Sequence, residues 1–182
     1  MEIDMYTDGA CSGNPGIGGA AAIIKITHSD CHTEETFSCG YEKDSTNQRM
    51  EIYAVLLGLM RITNFIYFQS PEYREKISKI SKIELNIYSD SAYVINCMNN
   101  KWYENWQKNG WKNAKKQSVA NRKLWEELLC YYNDLIEDGI EINFIKVKGH
   151  SDNELNNEVD RKAVKARTNL LGLEMLDWFK ED

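Results

Sequence analysis

The stretch Met5-Tyr6-Thr7-Asp8-Gly9-Ala10-Cys11-Ser12-Gly13-Asn14-Pro15-Gly16 most constrains what this chain can become. Ile3 and Met5 alternate with polar neighbours, the period-two pattern of a strand with one face in a core. Gly9, Gly13, Pro15 and Gly16 then halt the strand and force a tight loop. Asp8 sits at that junction, held by a sheet yet able to reach solvent. An aspartate at a strand end is usually solvated or caps a turn, so Asp8 alone says little about chemistry.

Three further acids occupy comparable boundaries. Ile83 to Tyr88 alternates cleanly and predicts a strand that runs into Ser89-Asp90-Ser91, with a short helix over Ala92 to Met98. A carboxylate at the carboxyl end of a strand lies where ligands of open α/β sheets collect. The plainer alternative is that Asp90 or Ser91 caps the next helix. Ser45-Thr46-Asn47-Gln48 is an N-cap cluster, and Met50, Ala54, Leu57 and Met60 then recur at helical spacing. That pattern puts Glu51 in the first turn, where an acid also suits the helix dipole. Asp160 falls on a helix predicted over 157–168, ten positions after Gly149-His150.

The remaining elements follow from the same periodicities. Gly19 to Ile26 and Thr33 to Tyr41 predict strands two and three, an antiparallel meander with the first. His28 and His32 fall at the turn between them and read as surface residues. Val119 to Asp138 is a long helix burying Leu124, Trp125, Leu128, Leu129, Tyr132 and Leu135, ended by Gly139. Glu141 to Val147 is the last strand. The expected fold is α/β: a five-stranded mixed sheet, with strands 1–3 as the meander, strands 4 and 5 joined through helices, and helices on both faces. One domain is expected over 1–167, followed by an amphipathic extension, 168–182, that packs on it. The stretch 65–82, broken at Ser70-Pro71, has no legible function.

Charge adds a second constraint. The chain of 182 residues carries −6, yet Lys101 to Lys123 holds seven cations and a single anion, Glu104. That segment is therefore +6 within a body of −12. Trp102, Trp106 and Trp111 are interleaved with its lysines. A basic aromatic platform for a nucleic-acid backbone is one reading; a hydrophobic cluster beneath a loop is the other. The five cysteines form no C-x-x-C pair, which speaks against a disulfide framework or zinc site and for buried or half-buried thiols in a reducing cytosol. No apolar run approaches the ~20 residues of a membrane helix, and acidic Glu2 and Asp4 replace the basic start of a signal peptide. A cytoplasmic chain without a membrane partner is expected.

In such a mixed sheet strands one and four lie side by side, which brings Asp8 to Asp90 while the Glu51 helix packs on the sheet. Clustered carboxylates raise one another's pKa unless cations neutralise them. Hard oxygen ligands without cysteine select Mg²⁺ or Mn²⁺. Two such ions roughly 3.5–4 Å apart are the usual device for in-line phosphodiester displacement.

At this point the chain resembles type 1 ribonuclease H. The matching stretches are Tyr6 to Gly19, Thr46-Asn47-Gln48-Arg49-Met50-Glu51, and Ser89-Asp90-Ser91-Ala92-Tyr93-Val94. They continue with Trp102-Tyr103-Glu104-Asn105-Trp106 and Gly110-Trp111-Lys112, then Asn121 with Leu124-Trp125, then Val147-Lys148-Gly149-His150 with Asp160. The resemblance implies an endonuclease that cuts the RNA strand of RNA–DNA hybrids with two Mg²⁺ (or Mn²⁺) ions, leaving 5′-phosphate and 3′-hydroxyl ends. It implies Asp8, Glu51, Asp90 and Asp160 as metal ligands and His150 as an accessory base or release residue. Asn14, Asn47, Gln48 and the backbone near Cys11 would contact the RNA minor groove and its 2′-hydroxyls, the feature by which RNA is told from DNA. Thr46 and Asn121 would hold a phosphate of the DNA strand. Trp102, Trp106, Trp111 and Lys112 would belong to a basic protrusion, about 99–120, that grips the hybrid. Removal of RNA primers and R-loops by a monomer is the implied role.

The departures are specific. Ala92 stands where many bacterial members carry glutamine, Glu104 and Gln107 dilute the protrusion's charge, and the 65–82 stretch and the tail are longer. No hybrid-binding module is expected ahead of Met1. Two rivals stand beside this reading: another nuclease or polynucleotidyl transferase of the same fold, and a non-catalytic hybrid-binding module. Four retained carboxylates argue against the second, since a pure binder of a polyanion gains nothing from clustered negative charge.

Overall fold

Alternation in β1 (Glu2–Gly13) puts Ile3, Met5 and Thr7 on one side of the sheet and Tyr6, Asp8 and Ala10 on the other. The computed structural model describes residues 1–67, 75, 82–149 and 153–175. In it β1 pairs antiparallel with β2 (Gly16–Thr27), which pairs antiparallel with β3 (Thr33–Ser45). On its other edge β1 runs parallel to β4 (Glu84–Ser89), and β4 runs parallel to β5 (Glu141–Lys146). The expected meander and crossovers are thus present, with strands two and three several residues longer than the hydrophobic pattern suggested. The sheet has six strands, not five. Beyond the helical domain, β6 (Leu173–Glu174) adds parallel to β3, giving the order β5-β4-β1-β2-β3-β6.

The face bearing Ile3 and Met5 is covered by α1 (Asn47–Tyr67), flanked by α4 (Arg122–Glu137), with α2 (Ala92–Asn99) and α3 (Trp102–Lys108) beside them. Leu56, Leu57, Leu59, Ile62, Leu124, Trp125 and Leu128 are at most 1 % exposed there. Each large side chain so buried stabilises the fold by about 1.5–3 kcal/mol before entropy is counted. By length and composition α1 matches a membrane span, but twelve of its 21 residues are buried inside this domain. It is the central core helix. The opposite face is covered by α5 (Glu154–Asn169), whose Val159 and Ala163 pack on Ala21 and Ile23.

One contact sets the height of α1 against the sheet. A Cβ on Gly9 would lie 2.4 Å from the backbone of Met50 and Glu51. Only glycine lets the start of α1 descend onto β1 there, one residue beyond Asp8. The helix begins at Asn47, so Glu51 is its fifth residue and no acid occupies its first turn. The expected helix-dipole role for Glu51 is therefore corrected: the carboxylate sits past the turn where that field acts.

Smaller expectations resolve similarly. His28 pairs with Glu34 at 3.0 Å on the surface of the β2–β3 turn. All five cysteines are free, but Cys31 and Cys130 are exposed, not buried or half-buried, because they fall on a turn and on the outer face of α4. Of the 65–82 stretch only 65–67, 75 and 82 lie among the described residues. Of the tail, Met175 is buried while Leu170, Leu171 and Leu173 remain exposed; residues 176–182 lie outside the described set.

Candidate active site

The parallel register of β1 and β4 matches Thr7 with Ser89. Asp8 follows Thr7 directly, and Asp90 follows Ser89, so both carboxylates emerge at the same end of adjacent strands. Asp8 points to the α5 side of the sheet, as the even residues of β1 do. There Asp160, one turn beyond Asn156 on α5, meets it. Asp8, Glu51, Asp90 and Asp160 line one pocket of about 310 Å³, together with Gly9, Ala10, Cys11, Asn47 and Asn156. The four acids named from the sequence are brought together.

Electrostatics follow from that crowding. Burial pushes Asp8 up to about 8, helped by the negative charges of Asp90 and Asp160 and by a shared hydrogen bond with Asp160; the Gly9 N–H, donating at 2.8 Å, opposes this. Glu51 is also raised, first by burial and then by Asp90. Two donors hold it down: Ser91 Oγ at 2.6 Å and Asn47 Nδ2 at 3.0 Å. A pocket that keeps a carboxylic acid protonated near neutrality is one that lacks its compensating charge. Its four acids are hard oxygen donors, and the one thiol among the described lining residues, Cys11, directs its Sγ at the carbonyls of Ser45 and Gly16, which fits Mg²⁺ or Mn²⁺. Among the described residues no three acidic, His or Cys side chains are drawn into a ready-made ion cage.

The loop before His150 reaches the same place. A Cβ on Gly149 would sit 2.5 Å from Asp90 Oδ2, so residue 149 is glycine where the loop backbone passes the carboxylate. His150 itself lies outside the described residues.

The expected substrate contacts are placed as follows. Cys11 is half-buried, its Sγ directed at the carbonyls of Ser45 and Gly16 at 3.3 and 3.5 Å. Asn14 is exposed on the loop between β1 and β2, where the Asn14–Pro15 peptide is cis. Asn47 spends its amide on Glu51. Thr46 Oγ1 accepts the Arg49 N–H at 3.3 Å and so caps α1. Gln48, Tyr93, Trp102, Trp106 and Lys112 line a separate groove of about 550 Å³ running along α3.

The hydrophobic-cluster reading describes two of the three tryptophans. Trp106 and Trp111 are 8 % and 7 % exposed and belong to the core, with Trp106 5.8 Å from Trp125 and 6.1 Å from Trp111 between ring centres. Trp102 is 36 % exposed. The buried indoles pack beneath the segment, and Trp102 stands at its surface with the exposed lysines. Sequence reasoning passed over Ser91 as a ligand of Glu51, although it quoted the residue as a cap; Ser91 does both, since its Oγ also accepts the Val94 N–H. It also passed over the buried Arg49–Glu42 ion pair at 2.8 Å.

Comparison with known proteins agrees with this geometry. The family model described as RNase H matches residues 1–168. A protein named Ribonuclease H from Acetivibrio thermocellus is 41% identical over 162 residues, 89% of this chain and 92% of its own length. One of the same name from Syntrophomonas wolfei is 43% identical over 162 residues, 89% of this chain and 93% of its own length. Among solved structures, LC9-RNase H1, described as a type 1 RNase H with the type 2 active-site motif, superposes with a TM-score of 0.71 at 22% identity, covering 94% of this chain and 74% of that one. LC11-RNase H1 in complex with RNA/DNA hybrid superposes with a TM-score of 0.61 at 18% identity, covering 93% and 99%. At those identities the structural matches speak for the fold.

Proposed function

Because this chain belongs to the ribonuclease H family, we propose that it is an endonuclease that hydrolyses the RNA strand of RNA–DNA hybrids with two divalent cations. The observation that carries this reading is the convergence of Asp8, Glu51, Asp90 and Asp160 on one pocket. Those four side chains would hold the ions, Mg²⁺ or in its place Mn²⁺. What such a pair supplies when bound is activation of the attacking water and neutralisation of charge at the leaving oxygen. The products would be 5′-phosphate and 3′-hydroxyl ends, and the cellular role removal of RNA primers and R-loops.

The chain's own groups do the positioning. Asn47 and Ser91 keep Glu51 oriented and favour its ionised form, since both donate to it. Asp8 is fixed by its neighbour's N–H and by the sheet, so its carboxylate costs little to reorganise. Gly149 brings the His150 loop to Asp90; an imidazole there would shuttle a proton or assist release of the cut strand. On the groove side Trp102 offers a stacking face, and the lysines of the 101–123 segment offer charge for a backbone. Hybrid would span from this groove to the acid pocket, with Gln48 and Asn14 near the RNA strand. We place the enzyme in the cytoplasm, acting as a monomer.

The test is a strand-labelled assay on three substrates: RNA–DNA hybrid, duplex DNA and single-stranded RNA. Mg²⁺-dependent loss of the RNA strand in the hybrid alone is expected. Cleavage of duplex DNA at a comparable rate would favour another nuclease of this fold, and binding without cleavage would favour the non-catalytic module.

A further inference from the structure

On the α5 side of the sheet, β1 and β4 carry their side chains in matched rows. The register pairs Glu2 with Glu84, Asp4 with Asn86 and Tyr6 with Tyr88. The second row is tied by a hydrogen bond, since Asn86 Nδ2 donates to Asp4 Oδ1 at 3.3 Å. The third is tied by its rings: Tyr6 and Tyr88 stack with centroids 4.6 Å apart and planes inclined by 12°. That separation matches the spacing of neighbouring strands, about 4.8 Å. The two rings therefore stand side by side on the sheet, face to face.

The pairing of β1 with β4 ends one residue later, at Thr7 and Ser89. By alternation those two side chains belong to the opposite face, where both are buried. On the acid side, Tyr6–Tyr88 is thus the last matched pair before Asp8 and Asp90. Asp8 continues along β1, where it pairs with Ala21 of β2; Asp90 lies just past the end of β4. Tyr6 also packs against the cluster of Ala21, Ile23, Val159 and Ala163. Val159 immediately precedes Asp160 on α5. One aromatic pair adjoins the segments that carry three of the four acids. The Tyr88 hydroxyl bonds to Asp4, in the row farther from the pocket, so the ring alone serves the stack.

Crowded carboxylates repel one another until cations neutralise them. That repulsion favours spreading β1 from β4 and from α5. A stacked pair of flat, rigid rings has a preferred separation and resists such spreading. Leucine at either position keeps apolar bulk but offers no face to stack.

We infer that Tyr6 and Tyr88 are positioning residues, a stacked pair that holds Asp8, Asp90 and Asp160 at cation-binding spacing. This deepens the reading above and rests on it.

The test is Mn²⁺ binding to the full chain, read by electron paramagnetic resonance without hybrid, with the binding lost in Asp8→Asn taken as the pocket's share. Tyr6→Leu, Tyr88→Leu, the double variant, Tyr6→Phe and Tyr88→Phe are compared with wild type, each checked for folding by far-UV circular dichroism. Loss of a group that orients metal ligands costs about 10–100-fold in metal affinity, and each leucine variant is expected to lose at least about tenfold. The double variant should lose no more than either single within about twofold, because the stack acts as a unit. Both phenylalanine variants should bind as wild type within about twofold. In steady state the Mg²⁺ midpoint of the leucine variants should rise by the same factor, with KM for hybrid kept. A purely structural role would lower the melting temperature and leave Mn²⁺ affinity unmoved. If the leucine variants fail to fold, Tyr88→Met fills the space flexibly without a face and should show the same loss. Wild-type Mn²⁺ affinity in a folded leucine or methionine variant, multiplicative losses in the double, or phenylalanine variants as weak as leucine would each overturn the inference. Wild type that binds Mn²⁺ in the pocket yet cuts no hybrid would instead overturn the hybrid-cleaving reading.

Discussion

Ser91 Oγ donates to Glu51 Oε2 across 2.6 Å, joining the head of α2 to the start of α1. The bond stabilises the ionised carboxylate against the burial that raises its pKa. Ser91→Ala removes it, so Glu51 should ionise at still higher pH. The acid limb of the pH–rate profile should then move upward. Loss of the cap on α2 should also cost about 1 kcal/mol of stability, whereas Ser91→Thr should preserve both. An unshifted acid limb in Ser91→Ala would show that Glu51 does not depend on this donor.

Asp8 predicts how cation-free protein responds to pH. Its folded pKa, about 8, lies above the ordinary 3.8. The native state thus keeps a proton that the unfolded chain releases. The stability contributed by this group is full below about pH 4 and is lost as pH rises through about 8. In chelator, the wild-type melting temperature should fall between about pH 5 and pH 9, and Asp8→Asn should flatten that fall. Added Mg²⁺ or Mn²⁺ should restore stability at the alkaline end for wild type. Equal slopes for the two proteins would contradict the crowded pocket.

Gly149→Ala tests the approach of the His150 loop. Its Cβ would press on Asp90 Oδ2. A displacement near 1 Å at a catalytic group costs on the order of a hundredfold in rate, so kcat should drop by about that factor while far-UV circular dichroism stays unchanged. Full activity would mean that the loop need not pass so near.

The tryptophans should separate by assay. Trp106→Ala opens a core cavity and should cost about 3–5 kcal/mol. Trp102→Ala should cost under about 1 kcal/mol yet weaken hybrid binding roughly tenfold, as loss of one stacked base does. Thermal melts and hybrid titrations read the two effects, and a reversed pattern would contradict the division between core and surface.

Much of this was legible because it is periodic. The alternation of Ile3, Met5 and Thr7, repeated in Leu85 and Ile87, put Asp8 and Asp90 at strand ends, and the helical crossover made β1 and β4 parallel neighbours. What escaped was what periodicity does not encode. Glu42, Arg49 and Asn121 stand on three different elements, and their bonds exist only once β3, α1 and α4 have packed. β6 is two residues long, too short for any pattern to announce it. The fates of Trp102 and Trp106, four residues apart on one helix, were decided by the position of Trp125 on another.

The central claim, that four carboxylates form one cation pocket serving hydrolysis, is tested most directly by single-turnover cleavage of labelled hybrid against Mg²⁺ concentration, for wild type and Asp8→Asn at equal hybrid occupancy. The account predicts saturable, Mg²⁺-dependent cutting of the RNA strand by wild type, and a loss of at least about 10³-fold in Asp8→Asn that added Mg²⁺ does not recover. Cleavage by Asp8→Asn at the wild-type rate and the wild-type Mg²⁺ midpoint would contradict it.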